Sequence, residues 1–262
     1  MKLSSTFIFT ILVLTILYSL GVSISHFEYN QINAENILHA PSLANWFGTD
    51  PLGRDLFIRI IHGAKMSLAI AFLTALNAWF IGSLLGIIAG YLGGIADEII
   101  SKFIDFIYSL PDLLVLSIIA LFLSKSTSGI VIGLAFISWM DVARLTRVEI
   151  QKYKKADFIE SARALGLNHF QIIFKHLYPN ALPSIFVALS FIIPRAILAE
   201  STLSFIGLGL SPPDTSWGTL TGDAWQYLYT DPHLLVFPAL MIFMTVFSFN
   251  FLGESLAKRF NL

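Results

Sequence analysis

The chain has no cysteine and little charge. Among its 262 residues the absence of cysteine removes disulfides, thiolate metal sites and cysteine nucleophiles. Charged residues make up 13%, against roughly 25% in a soluble domain. A formal net charge of −1 argues against a general nucleic-acid binder. There is no G-x-x-x-x-G-K-[ST] phosphate loop and no H-E-x-x-H zinc helix. Gly207-Leu208-Gly209 is followed by Ser-Pro-Pro, so it is no dinucleotide fingerprint. Ser255-x-x-Lys258 has serine–lysine spacing but no oxyanion partner in view. The 6 histidines are scattered without metal-site spacing, with His26, His39 and His233 as a weak set on one side. No catalytic residue, no resident metal and no cofactor bound by this chain is expected.

What the chain has is apolar length. Hydrophobic residues are 56% and the mean hydropathy is +0.75. Several stretches exceed the roughly 18 apolar residues that mark a membrane-spanning helix. The expected fold is an all-α membrane protein of six transmembrane helices. The first span is Ser5 to Ser25, read as retained rather than cleaved because it is long for a signal-peptide core. Leu56, Ile60, Ile61 and Ala64 pattern an amphipathic helix lying at the interface. Ser67 to Leu92 is the second span, with Gly82, Gly86 and Gly90 forming a small-residue stripe for close helix packing. Asp97 to Lys102 reads as a polar turn. Phe103 to Leu123 is the third span, broken or kinked at Pro111. Gly129 to about Leu145 is the fourth, Ser184 to Phe205 the fifth and Leu234 to Leu252 the sixth. Two units are expected: 1–66, with the first span, an extracytoplasmic segment and the interfacial helix, and 67–262, a five-helix core.

Basic residues set the orientation. With a cytoplasmic N-terminus, only Arg54, Arg59, Lys65 and Lys125 fall outside. Arg195 is intramembrane, and every other Lys and Arg falls inside. That places both termini and the loop at about 150–183 in the cytoplasm. Within this loop, Asp157 to Pro179 is a polar, helix-patterned island. Asp157-x-x-Glu160 has capping-box spacing. Ser161, Ala162 and Ala164 carry little bulk, and Gly166 is a natural helix stop. Such a short helix suits docking in another protein's groove.

The same stretch, Glu160-Ser161-Ala162, Gly166 and Pro179, resembles the EAA loop of ABC importer permeases. Its ending, His176-Leu177-Tyr178-Pro179-Asn180, resembles the dipeptide/oligopeptide/nickel branch. So do Gly48-Thr49-Asp50-Pro51-Leu52-Gly53-Arg54-Asp55, Ala199-Glu200 with Leu203 to Gly209, and Pro212-Pro213 with Ser216-Trp217-Gly218. The match is to the C-type, second permease of such systems. The resemblance implies an ABC importer permease fold in the bacterial inner membrane, with a cytoplasmic coupling helix formed by the EAA loop. It implies a sister permease, two cytoplasmic ABC ATPase subunits that hold ATP and Mg2+, and an extracytoplasmic substrate-binding protein. Asp157, Glu160, Ser161, Ala162, Ala164, Gly166 and Pro179 would then meet the ATPase.

Arg195 and Glu200 are costly in lipid and default to a bundle interior or pathway. Glu200 and Ser204 share a face and are candidates to line a passage, with Arg195 a weaker one. Asp141 is placed near the interface. Trp217, Trp225, Tyr227 and Tyr229 read as membrane-interface aromatics. Import of di- or oligopeptides leads, with nickel or metal-chelate import second. A stand-alone channel or an intramembrane enzyme is the distant alternative.

Overall fold

The computed structural model describes residues 29–123 and 126–261. The expected first span, Ser5 to Ser25, lies outside them, as do His26 and Lys125. Helices dominate the described residues. They are α1 (Leu56–Leu92), α2 (Gly94–Tyr108), α3 (Asp112–Phe122), α4 (Thr127–Lys154), α5 (Asp157–Ala164), α6 (His169–Phe205), α7 (Trp217–Ala224) and α8 (His233–Phe260).

Helices α1, α4, α6 and α8 are each long and apolar enough to cross a membrane. The pair α2 and α3 reaches that length together but bends by 89° at the break. The break has a local cause. Pro111 lacks an N–H and takes an extended conformation, φ −62° and ψ 123°, as the cap of α3, and the residue before a proline is pushed away from the helical region.

The glycine stripe decides whether this bent pair crosses. A Cβ on Gly82, Gly86 or Gly90 would lie 2.6, 2.6 and 2.8 Å from the carbonyl oxygens of Trp139, Ala143 and Arg147. Both series advance along the chain together, so α1 and α4 run parallel with their backbones nearly touching. Two parallel neighbours must be joined by a segment that returns across the layer. Hence α2–α3 is a broken span and not a re-entrant loop. The described residues therefore hold five spans, and the sequence places a sixth before them.

Four expectations change. Leu56 to Lys65 is no separate interfacial helix; it is the start of the 37-residue α1. Leu56, Ile60, Ile61 and Ala64 are all buried in protein. A helix of this length is about 55 Å long, well beyond a hydrocarbon core of about 30 Å, so its first turns emerge and are packed by loop and α7. A unit boundary at 66 would cut this helix, and the core runs through it without interruption. Asp97 to Lys102 is not a turn but the second turn onward of α2. The fourth span continues well past Leu145 to Lys154.

The loop before α1 is held by buried polar contacts. Asp50 is 3% exposed and Arg59 5%. The Asp50 carboxylate accepts from the Leu52 and Arg54 N–H groups at 2.9 and 3.0 Å, and from Arg54 Nε at 2.7 Å. It also accepts from Arg59 Nη1. Asp55 caps α1 by accepting from the Ile58 N–H at 3.0 Å. Trp217 is fully buried, donating its indole N–H to Ile60 O at 3.0 Å and its backbone N–H to Ser67 Oγ at 3.0 Å. It is therefore an anchor between α7 and α1 and not an interface-belt residue. Trp225 and Tyr229 remain exposed.

Candidate functional site

Two regions collect the chemistry, one at the end of the bundle where α1 and α4 terminate, the other along an open flank. At the first, α5 connects the end of α4 to the start of α6. Ile159 and Ala162 face inward, 0% and 5% exposed, while Asp157, Glu160, Ser161, Arg163 and Ala164 face out. The helix is thus nailed down by Ile159 and Ala162 and presents a mixed outer face, with Phe158 and Leu165 exposed beside the polar residues.

Its punctuation differs from the expected capping box. The N-cap is Ala156, extended at φ −81° and ψ 145°, and no side chain caps the helix. Asp157 is already helical, one position too late to accept as an N-cap does. Its charge, with that of Glu160, still favours the positive end of the helix dipole. The stop is as read: Gly166 has φ +80°. The Leu167 N–H donates to Ala162 O at 3.2 Å, closing a Schellman turn. A capping box does occur four residues beyond α5, where Asn168 and Gln171 satisfy each other's N–H groups at 2.9 and 3.0 Å. It starts α6. That helix opens with a π-helical stretch, Ile172–Leu177. Tyr178 N–H reaches back to Ile173 O, and exposed Pro179, lacking a donor, follows.

Side chains that no motif singled out tie this end together. Tyr91 Oη and His169 Nδ1 share a hydrogen bond of 2.6 Å between the end of α1 and the start of α6. Lys154 Nζ donates to Tyr91 O at 2.6 Å, joining the end of α4. Trp79 Nε1 donates to Tyr178 Oη at 2.9 Å. Glu149, buried in α4, accepts from Ser184 Oγ at 2.8 Å. These bonds tie α1, α4 and α6 to one another, and α5 is held between the joined ends of α4 and α6. A cavity of about 600 Å³ opens beside it, lined by Gly90, Gly93, Lys154, Lys155, Glu160 and Arg163 among others.

On the flank, the ranking of the intramembrane candidates reverses. Glu200 is fully buried and Ser204 8% exposed. Glu200 Oε1 accepts from Ser204 Oγ at 2.7 Å and Ser216 Oγ at 2.6 Å. A Cβ on Gly218 would sit 2.9 Å from Glu200 Oε2, so the glycine lets α7 close over the carboxyl. Both residues are thus enclosed in a joint between α6 and α7 and do not line a passage. Arg195, by contrast, is half exposed and ion-paired to Asp112 and Asp141 at 2.7 Å each. Asp141 is near the middle of α4, not at an interface as its sequence neighbours suggested. Near the opposite end, a cavity of about 190 Å³ is lined by Asp50, Arg54, Arg59, Asp223 and Tyr227 among others. Burial pushes the Asp223 carboxyl above its ordinary range, opposed by Arg59 and Arg54. Among the described residues no three His, Asp or Glu side chains converge to hold a metal.

The chain matches known proteins along most of its length. It is 37% identical over 232 residues to a glutathione transport system permease protein, GsiD, of Pectobacterium atrosepticum, covering 88% of this chain and 75% of the relative. It is 36% identical to the oligopeptide transport system permease protein OppC of Bacillus subtilis, covering 94% and 81%. It is also 36% identical to the dipeptide transport system permease protein DppC of the same organism, covering 97% and 80%. The fold is similar to that of the MetNI methionine ABC transporter in an inward-facing conformation. There the TM-score is 0.65 at 19% identity, over 78% of this chain and 97% of that one. The family model for the binding-protein-dependent transport system inner membrane component matches residues 82–262. That match takes in the glycine stripe, α5 and the Arg195 and Glu200 clusters, and the chain belongs to this family of membrane transport components.

Proposed function

We propose that this chain is the permease subunit of an ATP-driven importer of di- and oligopeptides. It forms half of the translocation pathway beside a sister permease. Two cytoplasmic ABC ATPase subunits supply the energy and hold ATP and Mg2+; this chain binds neither. An extracytoplasmic binding protein delivers cargo at the α7 end. The protein lies in a bacterial inner membrane with both termini, and the α5 end, in the cytoplasm. The distribution of Lys and Arg supports that orientation.

The observation that carries the reading is α5: a short helix, anchored by Ile159 and Ala162 between the tied ends of α4 and α6, with its outer face uncovered. Coupling requires a rigid element whose position both sites can bias. Glu160, Ser161 and Ala164 would touch the ATPase, and Asp157 favours the helix electrostatically. Ala162 anchors the helix, Gly166 turns the chain, and Pro179 follows the π turn that begins the long lever. The names of the relatives support peptide cargo.

The test is affinity purification of the tagged chain from its own membranes, together with uptake of labelled dipeptide and of nickel in a strain lacking its transporter. The reading expects ATPase subunits in the eluate and restored dipeptide uptake. A chain that elutes with no ATPase defeats the importer reading. Restored nickel uptake without dipeptide uptake moves the cargo to the metal alternative.

A further inference from the structure

A band of charge crosses the middle of an otherwise apolar bundle. Arg195 donates to Asp141 Oδ2 and to Asp112 Oδ2, both at 2.7 Å. Tyr108 Oη donates to the other oxygen of Asp141. Arg144 stacks over the Tyr108 ring at 4.5 Å and donates to Asp105. Four elements, α2, α3, α4 and α6, converge to build it. The three central side chains are far from buried: Arg195 is 53% exposed, Asp112 and Asp141 each 40%.

Asp141 sits near the midpoint of α4 and Arg195 about 15 Å before the end of α6 at Phe205, so the band lies inside the layer that the helices span. Each ionised side chain at that depth costs about 3 kcal/mol or more if it faces lipid. This flank therefore faces water or protein. The backbone narrows the choice. The α2–α3 break places Asp112 in the first turn of a half-helix that starts inside that layer, and Pro194, inside α6, immediately precedes Arg195. Interrupted spans with a half-helix start at the midplane are where transporters meet their cargo. Arg195 commits two of its five donors to the aspartates, and Asp112 commits one carboxylate oxygen. The band thus keeps both a donor and an acceptor for an ionic visitor.

We propose that Asp112, Asp141 and Arg195 form a water-facing band on the wall of the translocation pathway that contacts the ionic groups of a zwitterionic cargo. The aspartates take its ammonium and Arg195 its carboxylate. The cargo class rests on the peptide-importer reading; the wall does not. The chain's freedom from cysteine makes the wall directly testable in the full transporter, with its partner subunits, binding protein and membrane. Leu198 is one turn beyond Arg195 and 48% exposed, and Phe243 on α8 is 64% exposed.

Leu198→Cys should react with a charged, membrane-impermeant methanethiosulfonate at least about tenfold faster than Phe243→Cys. Saturating dialanine should slow the Leu198→Cys reaction at least about threefold, while N-acetyl-dialanine amide should not. Adding Arg195→Gln should abolish the protection but not the reactivity. Reaction no faster than at Phe243→Cys overturns the proposal, because the flank is then covered by the sister permease. Equal protection by both compounds, or by neither, overturns the ionic contact. Absent dipeptide uptake by the unsubstituted transporter defeats the peptide reading instead, and the labelling rates still report on the wall.

Discussion

Replacing Asp50 strands a guanidinium. Arg59 is buried, its Nη1 donates to Asp50, and its Nε has no partner. Asp50→Ala leaves a buried charge uncompensated, a change that costs about 3–5 kcal/mol. The expected outcome is a clear drop in the unfolding temperature of the purified transporter, with Asp50→Asn falling between it and the parent. An unchanged unfolding temperature in both variants contradicts this assignment. Gly166 makes the opposite kind of prediction. Its φ of +80° suits glycine, yet a Cβ there would meet nothing within 4 Å. The cost is therefore conformational only, about 1–2 kcal/mol for a non-glycine residue. Gly166→Leu should insert and assemble normally but shift α5, lowering cargo-stimulated ATP hydrolysis. Full stimulation by that variant would show that the exit geometry of α5 is unimportant to coupling.

At the scale of elements, the α1–α4 contact is the most demanding. A Cβ on Gly86 would lie 2.6 Å from both Ala143 O and Thr146 Cβ. Neither is a flexible chain end, so one helix must move. Gly86→Leu should destabilise by at least the 1–3 kcal/mol typical of overpacking, read as lost monodispersity in detergent. At Gly93 nothing lies within 4 Å, so Gly93→Ala should leave the α1–α4 contact intact and cost only its backbone strain at φ 69° and ψ −159°, about 1–3 kcal/mol. The stripe itself was plain in the sequence, because glycine every fourth residue falls on one helical face. Its partner was not, since periodicity carries no information about which helix comes close. The first turns of α1 show a related limit. Leu56, Ile60, Ile61 and Ala64 form one apolar face whether they rest on lipid or on protein. Only the fold of Gly48 to Asp55 and the indole of Trp217 decide for protein.

At the scale of the molecule, the five spans of the described residues and their order were legible from apolar length, and the α5 loop from its polarity and its stop glycine. The cap of α5 falls at Ala156, one residue before the aspartate that the spacing favours, because the point where the backbone turns helical is set by dihedral angles that spacing does not fix. The charged residues of the core were harder. Glu200 and Arg195 share one span and look equally costly in lipid. Which of them is enclosed depends on α7 folding back so that Ser216 and Gly218 seal Glu200. Asp141 meets Arg195 because α4 packs beside α6, and Tyr108 and Asp112 reach that pair from the two sides of the 89° bend in α2–α3. That is tertiary information, beyond any local pattern.

The central claim is that α5 delivers the work of a separate ATPase to these spans, and Ser161 is placed to test it. It is exposed on the outer face of α5 and bonds only to its own helix, donating to Asp157 O at 3.1 Å. In this cysteine-free chain, Ser161→Cys gives a single reactive position. Treating membranes of that variant with a short thiol-to-amine cross-linker should join the chain to an ATPase subunit, and the yield should change when ATP and Mg2+ are added. Cross-linking to no ATPase subunit, while the variant remains reactive to a small soluble thiol reagent, would contradict the account.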